Sequence, residues 1–190
     1  RSLYKQEVLK IKRILIQESV FDLNNDSWNF FNDYYKNKIS EKKIIIKKSK
    51  IFLKKKNDYG ALAIFTINNL ETFFDNKKAQ NKLNISGRAF NSAFNLKSYN
   101  DLSLNSGTKL ILKFKDINLA IRSHIKKKDK DYIGNNFINF IGSEIKMNFK
   151  FNNDTFNFST FESKVNSNEI SARGKIDFYP FFFNIDANLD

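Results

Sequence analysis

His124 is the residue whose type most readily supports catalysis or metal binding, because it is the only histidine in a 190-residue chain without cysteine. A metal centre needs several ligands, and the sequence has no cluster of histidines and cysteines. A serine–histidine triad would have to use His124, yet the glycine pattern of a nucleophile elbow is absent. His124 follows a strand-like stretch and precedes Lys126-Lys127-Lys128, so we interpret it as an exposed loop residue.

Carboxylates are the other candidates for acid–base chemistry. They are scattered singly among predicted strands and turns, and a glycosidase-type pair would have to be assembled from distant residues. Glycine-rich phosphate loops are also absent. We therefore expect no enzymatic activity, no catalytic residue, no metal and no cofactor.

The charge of the chain is strongly basic, with a formal net charge of +13 and a pI near 9.7. Such a balance is typical of proteins that bind nucleic acid or anionic membranes. The excess is almost all lysine, alongside abundant Asn, Ile and Phe, which is the residue usage of an AT-rich genome. Arginine, which phosphate and base recognition favours, is scarce. We therefore expect no nucleic-acid partner.

Eight lysines lie between Lys42 and Lys56. A run of this kind is usually a solvated face or a blunted sheet edge. The alternative is a contact with anionic lipid headgroups. The sequence leaves both interpretations open.

The elements that would position any site are β-strands, because apolar residues recur with period two. The clearest strand covers 145–151, and Asn152-Asn153-Asp154 predicts the turn of a hairpin returning through Phe156 and Phe158. The alternation changes phase near Asp116, which indicates a bulge or a tight turn. The apolar positions of these strands are Leu110, Leu112, Phe114, Ile145, Met147, Phe149, Phe151, Phe156, Phe158, Ile176, Phe178, Phe181, Phe183 and Ile185.

One or two short helices are predicted beside the strands. The cluster Asn24-Asn25-Asp26-Ser27 is a good N-cap, and aromatic residues follow it at helical spacing, so we expect a helix at about 27–38. A second short helix is predicted over Asn69–Phe74. Further strands are expected around Ile64, around Ile85 and around Leu96.

A weak repeat relates residues 12–23 to residues 42–53, with an offset of 30 residues. Both copies carry a basic residue, an apolar triplet, a serine and a second apolar stretch. Two copies do not make a solenoid. They predict one strand-turn-strand unit used twice, with the aromatic helix between the copies.

Each predicted strand offers one apolar face that must be covered. In a sandwich, a second sheet would cover this face. In a barrel, the sheet would close on itself and cover its own apolar face. The third solution is a curved open sheet whose concave face holds a ligand such as an acyl chain. Burial contributes roughly 0.8 kcal/mol per methylene, without directional contacts. The residues alone do not choose among these solutions.

Three stretches resemble segments of the AsmA family. Residues 167–189, SNEISARGKIDFYPFFFNIDANL, show that family's polar strand, glycine, short strand and return strand with alternating apolar residues. Residues 83–87, LNISG, followed by residues 94–96, FNL, resemble another recurring piece. The copies at Ile14 and Ile44, each with a serine before an apolar strand, are similar to the family's strands as well.

The resemblance implies a mainly β fold, namely a curved antiparallel sheet with an apolar concave groove (an open β-taco or bridge), plus one or two short helices. Residues 1–190 would form one β-rich segment of a longer periplasmic region, anchored in the inner membrane from outside this segment. The implied function is non-enzymatic binding or conduction of phospholipid acyl chains between inner and outer membrane, in outer-membrane biogenesis. The fourteen apolar positions would line the groove. The alternative is a β-sandwich binding or adhesion module with no lipid channel.

Overall fold

The computed structural model describes residues 11–23, 34, 36–54, 61–102, 107–152, 154–178 and 181–190, and these are almost entirely strand. The strands are Arg13–Gln17 (β1), Val20–Leu23 (β2), Lys43–Lys54 (β3), Ala61–Asp75 (β4), Gln80–Ala89 (β5), Ser92–Asp101 (β6), Gly107–Phe114 (β7), Leu119–Lys128 (β8), Asp131–Phe140 (β9), Ser143–Phe151 (β10), Thr155–Val165 (β11), Asn168–Phe178 (β12) and Phe181–Leu189 (β13).

All thirteen strands belong to one sheet, which is curved and open and does not close into a barrel. From β3 to β13, each strand pairs antiparallel with the next strand of the chain. Extensive contacts between described strands occur only between hydrogen-bonded neighbours, so these strands do not form a second layer. The predicted mainly β, open, curved sheet is confirmed. Its first edge differs from the prediction, because β1 and β2 pair parallel with β3.

The two copies of the repeat lie side by side. Ile14 pairs with Ile44 and Phe21 with Ile51, so the offset of 30 residues is also the register of the parallel pairing. The expected turn within each copy does not reverse the chain. It is a kink at a residue with positive φ, Glu18 in one copy and Lys48 in the other.

Serine side chains stabilise these kinks and a third one in β11. Ser49 Oγ accepts a hydrogen bond from Ser19 N at 3.1 Å and donates to Lys47 O at 2.9 Å. In β11, Ser163 follows a positive φ at Glu162, and its Oγ accepts a hydrogen bond from Lys146 N at 2.9 Å. A serine after the bulged residue thus binds backbone groups that the interrupted ladder leaves unpaired.

The hairpin predicted from residues 145–158 is present, with Phe149 opposite Phe158 across β10 and β11. The phase change near Asp116 is the tight turn between β7 and β8, in which Asn118 N donates to Lys115 O at 3.2 Å. The strands expected around Ile64, Ile85 and Leu96 are β4, β5 and β6.

The second predicted helix, Asn69–Phe74, is wrong, because this stretch is part of β4. The register of β4 against β5 shifts between Ile67 and Asn69, which marks a bulge. The extra residue moves the inward positions from 65 and 67 to 70, 72 and 74, and the spacing of Ile67, Leu70 and Phe74 imitates a helical face. The helix predicted at about 27–38 falls mostly outside the described residues, of which Tyr34 and Lys36 are helical.

The buried apolar residues gather on one face of the sheet. Ile67, Ala89 and Phe94 form the centre of a cluster in β4–β6, and partly buried residues of β3, β4, β5, β6 and β7 pack around it. Phe149 is the most buried apolar residue of β10, at 7% exposure. We call this surface the apolar face and the other surface the opposite face.

Candidate functional site

The register places the predicted groove residues on the apolar face. Cross-strand partners share a face, so the pairs Leu112–Ile121, Ile121–Ile138 and Ile138–Ile145 carry that face from β7 to β10. The pairs Phe149–Phe158, Phe156–Ile176 and Ile176–Phe183 carry it on to β13. The predicted residues that share the face are Leu110, Leu112, Phe114, Ile145, Met147, Phe149, Phe151, Phe156, Phe158, Ile176, Phe181, Phe183 and Ile185. The remaining one, Phe178, pairs with Phe181 through its backbone.

The apolar face also extends over strands that contributed no predicted residue. Its members there include Ile14, Ile46, Ile67, Leu70, Ile85, Phe94, Leu96, Ile121, Tyr132 and Ile138. In β5 and β6 the alternation of apolar and polar residues indicates these positions, whereas in β4 the bulge at Asn68 interrupts that alternation. With about 4.8 Å between strands, the path from β1 to β13 measures about 50 Å.

Three glycines of the apolar face lie directly opposite phenylalanines. Gly87 pairs with Phe94, Gly134 with Phe149 and Gly174 with Phe158. A Cβ added to Gly134 would lie 2.8 Å from Phe149 Cζ and 2.0 Å from His124 O. The ring therefore lies across the glycine, in the space that any other side chain would fill.

Aromatic rings line the face in β9–β11. Tyr132 and Phe151 stack with centroids 4.9 Å apart, and Phe149 and Phe156 stack at 5.8 Å. Burial raises the pKa of Tyr132 above its ordinary value. A second group surrounds Phe94, whose ring lies 5.9 Å from that of Phe114 and 6.3 Å from that of Phe65. The two groups lie towards opposite ends of their strands, with aliphatic side chains such as Leu112 and Ile138 between them.

A polar network holds the segment around Tyr34 against β5–β7. Asn81 Nδ2 donates to Tyr34 O and to Asn37 O, both at 2.8 Å, while Asn81 Oδ1 accepts from Ile39 N at 3.1 Å. Asn100 Nδ2 donates to Tyr34 O at 2.9 Å. Asn81 is 0% exposed, and burial raises the pKa of Tyr34. The described residues of this segment therefore cover this end of β5–β7.

Four lysines of the run lie on the opposite face. Lys43, Lys47, Lys50 and Lys54 alternate with the apolar residues of β3, and β3 has partners on both sides. The interpretation of the run as a sheet edge is therefore wrong, because β1 and β2 form that edge. Two of the lysines make ion pairs, Lys43 with Glu71 and Lys54 with Asp22, both at 2.8 Å. Lys55 and Lys56 lie outside the described residues.

His124 also differs from its prediction. It lies inside β8, on the opposite face and half-buried, rather than in an exposed loop. Acidic side chains of β9 and β11 pair with lysines of β10, as Glu162 does with Lys146 at 2.8 Å and Asp131 does with Lys150 at 2.8 Å. Hydrogen bonds from these lysines hold the pKa values of both carboxyl groups below their usual range. The part of the chain that the structure describes contains no group of His, Asp and Glu side chains able to hold a metal ion.

Comparison with known proteins gives no match, since no family model, no curated protein and no solved structure is similar to the chain. Among the described residues, no helix is long and apolar enough to cross a membrane.

Proposed function

We propose that the apolar face binds the acyl chains of phospholipids and that the chain is a non-enzymatic part of a bacterial envelope protein. The observation that carries the proposal is one apolar face that runs through the sheet, on which the described strands pack no second layer. Half-buried side chains such as Ile145, Met147 and Phe156 line this face. An acyl chain is an occupant that such a face accepts without specific hydrogen bonds.

The apolar face is long enough to bind more than one acyl chain. Its path of about 50 Å exceeds the hydrocarbon core of a whole bilayer, about 30 Å. Each methylene removed from water contributes about 0.8 kcal/mol. Because neighbouring positions offer similar apolar surroundings, a bound acyl chain would move across the sheet, from one strand to the next, with little change in energy. Movement of lipid along the face, between inner and outer membrane, is the function we propose.

The location and the anchor follow from the resemblance to the AsmA family. We propose a periplasmic segment of a protein held in the inner membrane from elsewhere in its chain. The lysines of β3 lie on the face away from the apolar residues. Their proposed partners are therefore headgroups at an anionic membrane surface, rather than the headgroup of a lipid whose chains occupy the apolar face.

The sandwich architecture of the alternative is wrong for the described strands, because they form one sheet. An adhesion or binding module built on a single open sheet would use the same apolar face for a protein partner. Lipid content separates the two functions.

The test is native mass spectrometry with lipid extraction on the chain expressed in a bacterial periplasm. We expect bound phospholipid in the unaltered protein and at least a tenfold lower occupancy in Met147→Asp, because a carboxylate facing the acyl chains would lose its hydration without a charged partner. Met147 is half-buried, so the variant has a better chance of folding than a change at buried Phe149.

Asn148→Asp is the matched control, since Asn148 is the next residue of β10, is exposed and lies on the opposite face. It should retain its lipid. A folded protein without lipid, or equal losses in the two variants with unchanged circular dichroism, contradicts lipid binding on the apolar face.

A further inference from the structure

A cavity of about 700 Å³ lies over β7–β10 on the opposite face. Its lining includes Lys109, Arg122, His124, Lys146, Phe137 and Glu144. Its volume falls within the range of about 300–1,000 Å³ of small-molecule sites. Most of its lining residues belong to the opposite face, as Lys109 and His124 do, and the lining also includes Leu110, Ser123, Ile138 and Ile145 of the apolar face.

Basic side chains form a compact group in this cavity. Lys109 lies directly opposite His124, and Arg122 is two residues from His124 on the same face of β8. Directly opposite side chains start about 5 Å apart and diagonal ones, such as those of Lys109 and Arg122, about 7–8 Å apart, which is within the reach of lysine and arginine. Neither Lys109 nor Arg122 makes an ion pair with another residue that the structure describes. Their charges are therefore available to an anionic ligand.

An apolar surface adjoins the cations. Arg122 pairs with Ile111 of β7 on one side and with Phe137 of β9 on the other. Phe137 in turn pairs with Lys146 of β10. The ring of Phe137 is 40% exposed within the cavity lining. Glu144, the one carboxylate of the lining, lies on β10, two strands from Arg122. The cavity thus combines positive charges that can bind an anion with an adjacent flat apolar surface.

The kink in β11 shapes the wall next to Lys146. The register between β10 and β11 shifts between Glu144 and Lys146, and Ser163 fixes the shift through Lys146 N. A bulge bends its strand and increases the local twist, which re-aims nearby side chains. Lys146 is held further by its ion pair with Glu162 at 2.8 Å.

We propose that this cavity binds an organic phosphate monoester, with the phosphate between Lys109 and Arg122 and the organic group against Phe137 and Ile111. Guanidinium and ammonium groups form charge-assisted hydrogen bonds with phosphate oxygens. A soluble phosphate ester and a lipid headgroup share this chemistry. The site is independent of lipid binding on the apolar face.

Isothermal titration calorimetry with phenyl phosphate, at about 0.15 M salt to screen long-range attraction, tests the proposal. We expect one saturable site, weaker binding of inorganic phosphate and no binding of phenol. Arg122→Gln should weaken binding at least about tenfold, as expected for loss of a hydrogen bond to a charged group. Arg122 is exposed, so glutamine should preserve the fold, and circular dichroism checks this.

Lys50→Gln is the control, because it removes one positive charge from an exposed position of the same face outside the cavity. It should change the affinity less than about twofold, since bulk charge alone acts weakly at this salt concentration. Absence of saturable binding, equal weakening by both variants, or equal affinity for inorganic and phenyl phosphate would overturn the proposal. Displacement of phenyl phosphate by vesicles containing phosphatidic acid, whose headgroup is a phosphate monoester, supports the site with a headgroup as its ligand, and saturable binding without displacement supports a soluble ester.

Discussion

Gly134→Ala is the substitution for which the structure makes the sharpest stability prediction. The added Cβ would lie 2.0 Å from His124 O and 2.8 Å from Phe149 Cζ, where van der Waals contact requires more than 3 Å. The carbonyl belongs to the neighbouring strand and cannot rotate away. The Phe149 ring is 7% exposed and lies 5.9 Å from Phe151, so it has little room to move. Both contacts must be relieved by moving β8 or β10 away from β9.

Overpacking in a filled interior costs about 1–3 kcal/mol, and because the carbonyl is fixed we expect about 3 kcal/mol for Gly134→Ala. For a chain of this size, that lowers the melting temperature by about 6–12 °C. Urea denaturation followed by circular dichroism measures the free energy of unfolding directly. Adding Phe149→Leu should recover part of the loss, because the shorter side chain removes one of the two contacts.

Gly142→Ala supplies the comparison. Gly142 lies in a turn with φ +74, and the nearest atom to an added Cβ is Asn166 Oδ1 at 3.1 Å. The substitution should cost about 1 kcal/mol, from the left-handed backbone conformation alone. If Gly134→Ala is no more destabilising than Gly142→Ala, the close approach of β8, β9 and β10 at Gly134 is refuted.

Two further predictions concern polar contacts. Asn81→Ala removes three hydrogen bonds to the segment around Tyr34 and should lower the free energy of unfolding by about 3 kcal/mol; a loss below about 1 kcal/mol in urea denaturation would contradict the network. The hydrogen bond from Lys82 holds the pKa of Asp75 below its usual value, so its contribution is present at neutral pH and is lost as the pH falls through the folded-state pKa. Melting temperatures across acidic pH should therefore fall less steeply in Asp75→Asn, and identical slopes would argue against the pair.

The sequence predicts the sheet and much of its apolar face because strands with one buried side alternate with period two. This rule holds where the ladder is regular, as in β10 with Ile145, Met147 and Phe149. It fails at a bulge, where one added residue shifts the phase. At Asn68 the shift interrupts the alternation just before the stretch Asn69–Phe74 that was predicted to be a helix, although Ile67, Leu70 and Phe74 all lie on the apolar face of the sheet.

Pairing between distant strands was the other part that the sequence did not predict. The repeat was visible at Ile14 and Ile44, but nothing local specifies that the copies lie parallel and in register. The glycine–phenylalanine pairs can likewise be identified only when the register between the strands is known. A glycine inside an alternating strand, such as Gly134, does signal a close approach. Only the pairing of β9 with β10 identifies Phe149 as the ring that lies across it.

The glycine–phenylalanine pairs bear on how the apolar face can receive a ligand. Five of the six glycines lie among the described residues, and three of these five lie opposite a phenylalanine on this face. A ring lying across a glycine extends along the sheet, whereas a ring opposite a larger side chain is pushed away from it. Phe94 over Gly87 thereby reaches Phe65, two strands away, at 6.3 Å. Rings in this position cover backbone that would otherwise meet a lipid tail. The proposed acyl chains would then contact ring faces rather than peptide groups, whose desolvation would oppose binding.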